Sequence, residues 1–204
     1  MRPAPIAIAY VSPPPTAAAY DPARDRALVE RVRAGDKHAE ELLYRAHARA
    51  VSVLAARLLG YSDEAQDVVQ DVFLRALARL SQLRDGALLR AWLLRITVNE
   101  VQRRYRRRKL LRALGIVQAS ADSTLCELAS PGMSVEERAE LAELDRLLAK
   151  LPARERIAWM LRHVEGYELA EIAQACGASL ASVKRWIERA HSQLRAHLDV
   201  EIAP

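Results

Sequence analysis

The stretch GYELAEIAQACGASLASVKRWIERAHSQLR, residues 166–195, decides the fold of the C-terminal part of the chain. Its apolar residues return at helical spacing in two runs. Between the runs lies Gly177, which can adopt the left-handed backbone conformation that often ends a helix. Ser179 then offers a side-chain cap to the second helix. Two helices joined by so short a turn predict a helix-turn-helix, with the small Ala173 where the helices cross.

The outer face of the second predicted helix carries side chains suited to reading DNA. Lys184, Arg185, Glu188 and Arg189 share this face, from which side chains can reach base edges and phosphates in a major groove. The alternative is a buried helical hairpin with a solvated charged face. The tight turn and the basic outer face together favour DNA binding.

The composition favours an all-helical protein. The 204 residues are 51% apolar and 28% charged, with only 7 glycines and 1 phenylalanine. Long stretches rich in Ala, Leu and Arg contain few β-branched runs. The net charge is +5, but residues 84–112 hold ten basic and two acidic residues, which leaves the remainder at −3. Such a local concentration of positive charge is typical of a nucleic-acid-binding surface.

Other classes of protein are disfavoured by the same sequence. Cys126 and Cys176 lack CxxC spacing and a nearby histidine pair, so we expect no zinc site, no disulfide framework and a cytosolic location. No apolar run approaches the roughly 18 residues of a membrane span, and we expect no membrane insertion. Without a metal-ligand cluster, nucleophile arrangement or glycine-rich phosphate loop, we also expect no catalytic residues and no cofactor.

The N-terminal half is predicted to form four helices after a disordered tail rich in Pro and Ala. Asp21 and Pro22 form a helix-start signal. A second helix covers residues 37–59, and Ser62 or Asp63 caps a third. The third helix has the sequence SDEAQDVVQDVFLRALARL, and the fourth, after a loop SQLRDG, has the sequence ALLRAWLLRITVNEVQRRYRRRKLLRALG.

One side of the third helix is acidic. Glu64, Asp67 and Asp71 lie at helical spacing, with Gln70 beside them, and we call these four residues the acidic ridge. As catalytic acids and bases they would need a cleft and a partner group, which the pattern does not provide. Two interpretations stay open, a solvated helix face and a docking ridge for a basic partner helix.

The fourth helix ends in a basic cluster, residues 103–109, which has six charges in seven positions. The helix dipole accounts for fewer charges than this, and the side chains would repel one another unless an anion lay alongside. Tyr105, within the cluster, is suited to stack on a base or ribose. The alternative is a solvated helix end, but the charge density favours nucleic acid.

After the fourth helix the apolar period is lost, which predicts a linker. A capping box, Ser134 with Glu137, then begins a second helical unit in which Pro152 opens a further helix. The predicted organisation is a tail (residues 1–22), a four-helix domain (23–113), a linker (114–133) and a helix-turn-helix domain (134–200).

Four motifs, in this order, resemble the extracytoplasmic-function (ECF) sigma factors of bacterial RNA polymerase. They are DVVQDVFLRAL, AWLLRITVNEVQRRYRRRK, LAKLPARERIAW and the helix-turn-helix, and the resemblance covers residues 24–198. It implies an all-α fold of two small domains, a four-helix sigma region 2 and a helix-turn-helix sigma region 4, joined by a flexible linker. The implied function is to bind core polymerase, recognise the minus-35 and minus-10 promoter elements and help melt the promoter.

The resemblance also implies a role for each surface. The acidic ridge corresponds to the polymerase-docking helix. The loop 81–87 and the fourth helix correspond to the element that captures a flipped minus-10 base and holds the melted strand. The implied site residues are Asp67, Gln70, Asp71 and Arg75 for polymerase, Arg95, Asn99, Arg103, Tyr105, Arg106 and Arg107 for minus-10 DNA, and Ser182, Lys184, Arg185, Glu188 and Arg189 for minus-35 DNA. The implied partners are core RNA polymerase through its β′ clamp and β flap, promoter DNA as duplex and as melted strand, and an anti-sigma factor.

Two places depart from the family's pattern. Where the recognition helix commonly reads Thr-Val-Lys-Ser-Arg-Leu, this chain has Arg185, which can contact guanine or phosphate, and Trp186, which replaces a backbone-binding arginine with an apolar ring. Before Asn99, Thr97 and Val98 replace the more usual Ala-Arg and remove a positive charge. The alternative function is a stand-alone dimeric helix-turn-helix regulator, which would need a dimer surface.

Overall fold

The computed structural model describes residues 21–59, 63–116 and 134–201, with side chains as far as residue 196. Over these residues the chain forms eight α-helices and no strand, which confirms the all-α prediction. Almost all of the predicted tail and linker, and Cys126, lie outside the described residues. The helices are α1 (Pro22–Arg33), α2 (Lys37–Leu59), α3 (Asp63–Arg79), α4 (Leu89–Ala113), α5 (Val135–Lys150), α6 (Ala153–His163), α7 (Leu169–Cys176) and α8 (Leu180–Glu201), with 3-10 turns at Leu80–Gln82 and Gly86–Leu88 between α3 and α4.

The helix ends follow local signals in the sequence. The Asp21 carboxylate accepts backbone hydrogen bonds from the first turn of α1, which satisfies amide groups that have no partner within the helix. Ser134 and Glu137 form the predicted capping box at the start of α5. Gly177 ends α7 with φ at +61°, a left-handed conformation that a residue with a Cβ adopts only with strain.

Helices α1 to α4 pack together as one unit and α5 to α8 as another, and the buried apolar side chains of both units form one continuous core. Because each helix buries one apolar stripe, its polar residues are left on the outside. The buried side chains of the first unit include Val29, Leu43, Leu58, Val68, Val72, Leu89, Leu93 and Val98, and those of the second include Leu141, Leu148, Ile157, Met160, Leu161, Ile172, Val183 and Leu194.

The two units also pack against each other, which the sequence pattern did not predict. Helices α6 and α7 lie against α4, and Arg57 at the end of α2 donates a hydrogen bond to Glu165 at 2.8 Å. Both side chains are buried, at 7% and 4% exposure. Burial raises the pKa of Glu165, and the charge of Arg57 offsets part of that rise. A buried carboxylate and its counter-charge therefore join the two halves of the chain.

Candidate nucleic-acid interface

One face of α4 is a continuous polar stripe. Arg95, Asn99, Arg103 and Arg107 follow one another at intervals of four residues, so they lie on the same side of the helix, and all four are exposed. Arg106 is exposed beside them. The opposite face of α4 is buried in the core. The helix therefore presents one amide and several guanidinium groups in a row, an arrangement suited to a nucleic-acid strand.

Tyr105 does not lie with these exposed residues. Its side chain is half-buried, and its hydroxyl donates a hydrogen bond to the carbonyl of Leu58. The guanidinium carbon of Arg156, from the C-terminal unit, lies 5.5 Å from the centre of its ring. Arg156 therefore occupies one face of the ring on which a base is predicted to stack.

The acidic ridge and the basic cluster, predicted as separate surfaces, are in contact. One oxygen of Asp71, Oδ2, pairs with Arg103 at 3.0 Å and with Arg104 at 2.7 Å. Glu64, two turns before Asp71 on α3, pairs with Arg108, one turn after Arg104 on α4. The charges of α3 and α4 thus neutralise one another across the helix interface, which relieves the repulsion within the basic cluster.

Glu100 is a residue whose importance the sequence reasoning missed. Its side chain is only 3% exposed, yet it pairs with Arg75 of α3 at 2.9 Å and with Arg103 at 2.9 Å. The available signal was a lone acidic residue on the apolar side of a strongly basic helix. A buried carboxylate of this kind needs paired cations to stay ionised.

The remaining polar residues of α3 are open to a partner. Asp67 and Gln70 are exposed, and among the described residues Asp67 makes no ion pair. Of the four residues predicted to bind polymerase, two are therefore accessible, whereas Asp71 and Arg75 are half-buried and held by α4.

An apolar groove runs between α2 and α3, with a volume of about 720 Å³. Phe73 and Leu77 line it, and Tyr44 and Leu74 on its walls are 47% and 61% exposed. Gln70 of the acidic ridge also lines this groove. Exposed contiguous apolar surface of this kind marks a protein-interaction site.

The loop 81–87 is attached to α1. The carboxylate of Asp85 accepts hydrogen bonds from the backbone N–H of Ala87 at 3.0 Å and from Arg26 of α1 at 3.1 Å. These two interactions hold the pKa of Asp85 below its usual value. Gly86 is buried against α1, and a Cβ there would lie 2.7 Å from the Cα of Arg26. Helix α1 therefore sets the position of the loop.

The helix-turn-helix has the predicted geometry. The hydroxyl of Ser179 accepts a hydrogen bond from the N–H of Ser182 at 3.2 Å, which caps the start of α8. Arg185 reaches back to the hydroxyl of Ser182 at 3.4 Å. Four of the five residues predicted to bind minus-35 DNA are exposed, namely Lys184, Arg185, Glu188 and Arg189. The fifth, Ser182, is half-buried.

Trp186, which departs from the family's pattern, packs against the core of the second unit. The guanidinium carbon of Arg154 lies 5.7 Å from the centre of its ring, a cation–π contact. Trp186 therefore contributes to the packing of α8, and Arg154 places a positive charge beside its ring.

Two histidines join α6 to α8. The Nε2 atoms of His163 and His191 are 2.9 Å apart, and the ring of Trp159 lies 4.9 Å from that of His163. Burial, with the charges of His191 and Arg162, lowers the pKa of His163 to about 4. The folded chain therefore favours the neutral form of this residue.

Acidification should destabilise the C-terminal unit. In the unfolded chain His163 takes up a proton near pH 6.5, whereas in the folded chain it does so near pH 4. The unfolded state binds more protons between these values, so stability should fall as the pH drops from 6.5 to 4. Since the side chain is only partly buried, solvent reduces the effect to about 1 kcal/mol. The free energy of unfolding, measured with urea at several pH values, should depend less on pH in His163→Gln than in His38→Gln, a control at an exposed histidine. Equal pH dependence in the two variants would contradict the assignment.

Over the three described ranges, no group of three or more His, Cys, Asp or Glu side chains could hold a metal ion, and no helix is long and apolar enough to cross a membrane. Burial raises the pKa of the Cys176 thiol to about 11. This thiol is therefore protonated at neutral pH, which makes it a poor nucleophile.

Family models and known proteins match both helical units. The Sigma-70 region 2 model matches residues 43–110 and the Sigma-70, region 4 model matches residues 141–194. RNA polymerase sigma factor NccH from Alcaligenes xylosoxydans xylosoxydans is 34% identical over 87% of this chain and 96% of its own length. ECF RNA polymerase sigma factor EcfG from Rhodopseudomonas palustris is 33% identical over 74% of this chain and 81% of its own length. The structure of sigma factor RpoE in complex with the anti-sigma factor NepR from Bartonella quintana aligns with a TM-score of 0.57 and 26% identity, over 78% of this chain and 96% of that chain.

A polar stripe on α4 and a helix-turn-helix are features of a DNA-binding protein. The matches to family models and to known sigma factors show that the chain belongs to the sigma-70 family, in the ECF group of RNA polymerase sigma factors. Its function is that of a sigma factor in transcription initiation.

Proposed function

We propose that the chain divides promoter recognition among three surfaces. Helix α3 docks on the β′ clamp of core polymerase through Asp67, Gln70, Asp71 and Arg75. Helix α4 and the loop 81–87 capture the minus-10 element and hold the melted strand. Helix α8 reads the minus-35 duplex, with its unit against the β flap.

The observation that carries this proposal is the exposed stripe on α4. A single strand offers phosphates along its backbone and base edges beside them, and the stripe offers guanidinium groups with one amide among them. Unstacking a base costs a few kcal/mol, which charge neutralisation and a base pocket can offset. Asn99, the amide within this basic stripe, is the side chain suited to hydrogen-bond a base edge.

Helix α8 suits duplex DNA for a different reason. It is capped and packed against its own unit, its exposed face carries Lys184, Arg185, Glu188 and Arg189, and the half-buried Ser182 lies beside them. A capped helix with charged groups near its N-terminus can enter the major groove, where the four base pairs are distinguishable.

We further propose that an anti-sigma factor regulates the chain by covering the groove between α2 and α3. Tyr44 and Leu74 expose apolar surface there, and Gln70 belongs to both the groove and the acidic ridge. A partner helix in this groove would therefore obstruct polymerase docking.

In the proposed function the chain supplies no catalytic group. It works in the cytoplasm, where RNA polymerase carries out the chemistry.

The direct test is reconstitution. Purified chain added to core polymerase should give initiation at a promoter that core polymerase alone ignores. A chain that fails to bind core polymerase in a pull-down, and that forms a stable dimer on a sizing column, would instead favour the stand-alone regulator.

Asn99→Ala should impair promoter opening more than formation of the closed complex. The side chain is exposed on the face proposed to hold the strand and does not belong to the buried core, so the fold should be unaffected. Permanganate footprinting measures melting, and gel shift at low temperature measures closed-complex binding. Unchanged melting in the variant would contradict the role given to Asn99.

Gly86→Ala should also reduce opening, by about tenfold, through the position of the loop. The added methyl group would lie 2.7 Å from the backbone of Arg26, so the loop must shift away from α1, and a base pocket tolerates little displacement. The matched control is Ala139→Ser, which adds one heavy atom at an exposed position of α5. Equal opening by the two variants would show that the loop position does not matter.

A further inference from the structure

Trp186 places an aromatic ring at the edge of the α8 face that carries the predicted minus-35 residues. Residues three and four positions apart are neighbours on a helix surface, so Trp186 lies beside Ser182 on the preceding turn and Arg189 on the following one. Its side chain is half-buried. One part of the ring therefore packs inward, and the rest borders the face proposed to enter the major groove.

The first turn of α6 lies against this part of α8 through two side-chain contacts. The guanidinium carbon of Arg154 is 5.7 Å from the centre of the Trp186 ring. In the next residue, Glu155, Oε1 lies 3.9 Å from Nη1 of Arg189. Arg154 therefore lies at the same flank of α8 as Arg189, although it belongs to a helix from which no residue was predicted to bind DNA.

Arg154 has the chemistry of a phosphate ligand. The residue is exposed, and within the described ranges no carboxylate pairs with it. The N–H donors of a guanidinium lie in its plane, so a ring that covers one face leaves the donors at the edge for another acceptor. Contact with the ring also restricts the side chain before binding, so less conformational entropy is lost when an anion binds.

We propose that Arg154, held by Trp186, binds a backbone phosphate of the minus-35 duplex. The inference rests on the proposed function, which places α8 in the major groove of this duplex. The groove is about 12 Å wide and a helix with its side chains is about 10–12 Å across, so phosphates lie directly beside the helix. A cation at the flank of α8 meets these phosphates, whereas the bases lie below the helix. Arg154 therefore contributes affinity and orientation without base preference.

The test uses the 204-residue chain and a fluorescently labelled 20-base-pair duplex that the wild-type chain selects from a random-sequence library. Arg154→Gln should weaken binding about tenfold at 100 mM salt. The log–log salt slope should become shallower by about 0.9, the value for one lost phosphate contact. Arg154→Lys, which retains the charge, should keep the wild-type slope. A selection repeated with Arg154→Gln should return the same base sequence, because a phosphate contact carries no sequence information.

The matched control is Arg195→Gln, which removes the same charge from an exposed arginine more than two turns beyond Trp186 on α8. It should weaken binding less than twofold. Both variants should keep the wild-type circular dichroism, since neither side chain is buried. Equal losses of affinity in the two variants, or an unchanged salt slope in Arg154→Gln, would overturn the phosphate contact.

A second pair of variants tests the role of the ring. In Trp186→Leu the charge of Arg154 remains but its restraint is lost, so Arg154→Gln should weaken binding less than threefold in that background. Trp186→Phe retains an aromatic face, and in its background Arg154→Gln should keep nearly the whole tenfold effect. A tenfold effect of Arg154→Gln in the Trp186→Leu background would overturn positioning by Trp186.

The duplex measurements judge Arg154 without polymerase. Failure of the wild-type chain to select any duplex sequence would overturn the minus-35 role of α8 and this proposal with it. Failure of the chain to support initiation with core polymerase would overturn the proposed function, while the salt slope and the coupling between Arg154 and Trp186 would still decide the phosphate contact.

Discussion

Asp67→Arg should abolish binding of core polymerase while the chain stays folded. The side chain is exposed and makes no ion pair among the described residues, so its loss removes no internal contact. In the proposed function α3 docks on a basic surface of polymerase, so reversing this charge should place like charges together there, which costs several kcal/mol. The dissociation constant for core polymerase should rise by more than 100-fold, as measured by fluorescence anisotropy.

The control for this prediction is Glu140→Arg, the same charge reversal at an exposed position of α5. It should bind core polymerase as the wild-type chain does, and both variants should keep the wild-type circular dichroism and melting temperature. Asp67→Arg binding within threefold of wild type would refute the docking role of α3. The paired Asp71 is a poorer choice for this test, because an arginine there would face Arg103 and Arg104 and disturb the packing of α3 on α4.

Arg57→Met should destabilise the chain and open the contact between its two halves. The substitution leaves the carboxylate of Glu165 buried without this counter-charge, and breaking a buried pair in this way costs about 3–5 kcal/mol. We expect a lower urea midpoint and a larger radius of gyration by small-angle X-ray scattering, since separation exposes Glu165 to water.

The double variant Arg57→Met, Glu165→Met separates charge from packing. Replacing both partners by apolar side chains of similar volume leaves no unpaired charge, so it should restore most of the lost stability and the smaller radius of gyration. If the radius of gyration rose equally in the single and double variants, the result would contradict a role for the ion pair, and apolar packing of α4 on α7 would be what joins the halves.

The helices could be predicted because their signals are local. The cap at Asp21, the capping box of Ser134 with Glu137 and the left-handed Gly177 each act within a few residues, and the structure has all three. Apolar periodicity identified the stripes that face the core. The residues that expose side chains on α8 follow from the same period, because burial of one helix face determines which residues remain outside.

The candidate surface on α3 and α4 was less predictable. Charge density along the sequence identified both the acidic ridge and the basic cluster, but it did not indicate that Asp71 and Arg103, 32 residues apart, form a pair. Tyr105 is an aromatic residue within a basic cluster, which predicts stacking on a base. Its contact with Arg156 could not be predicted, because it forms only in the folded chain. Trp186 is a similar case, since Arg154 reaches it from another helix.

The sequence by itself determined the all-α fold, the approximate helix boundaries and the family. These properties depend on interactions within one helix or one turn. The tertiary structure decided which charges neutralise one another, where the loop 81–87 is held and how Arg57 meets Glu165 across 108 residues. Such pairings depend on the angle and rotation at which helices pack, and these are set by the whole core.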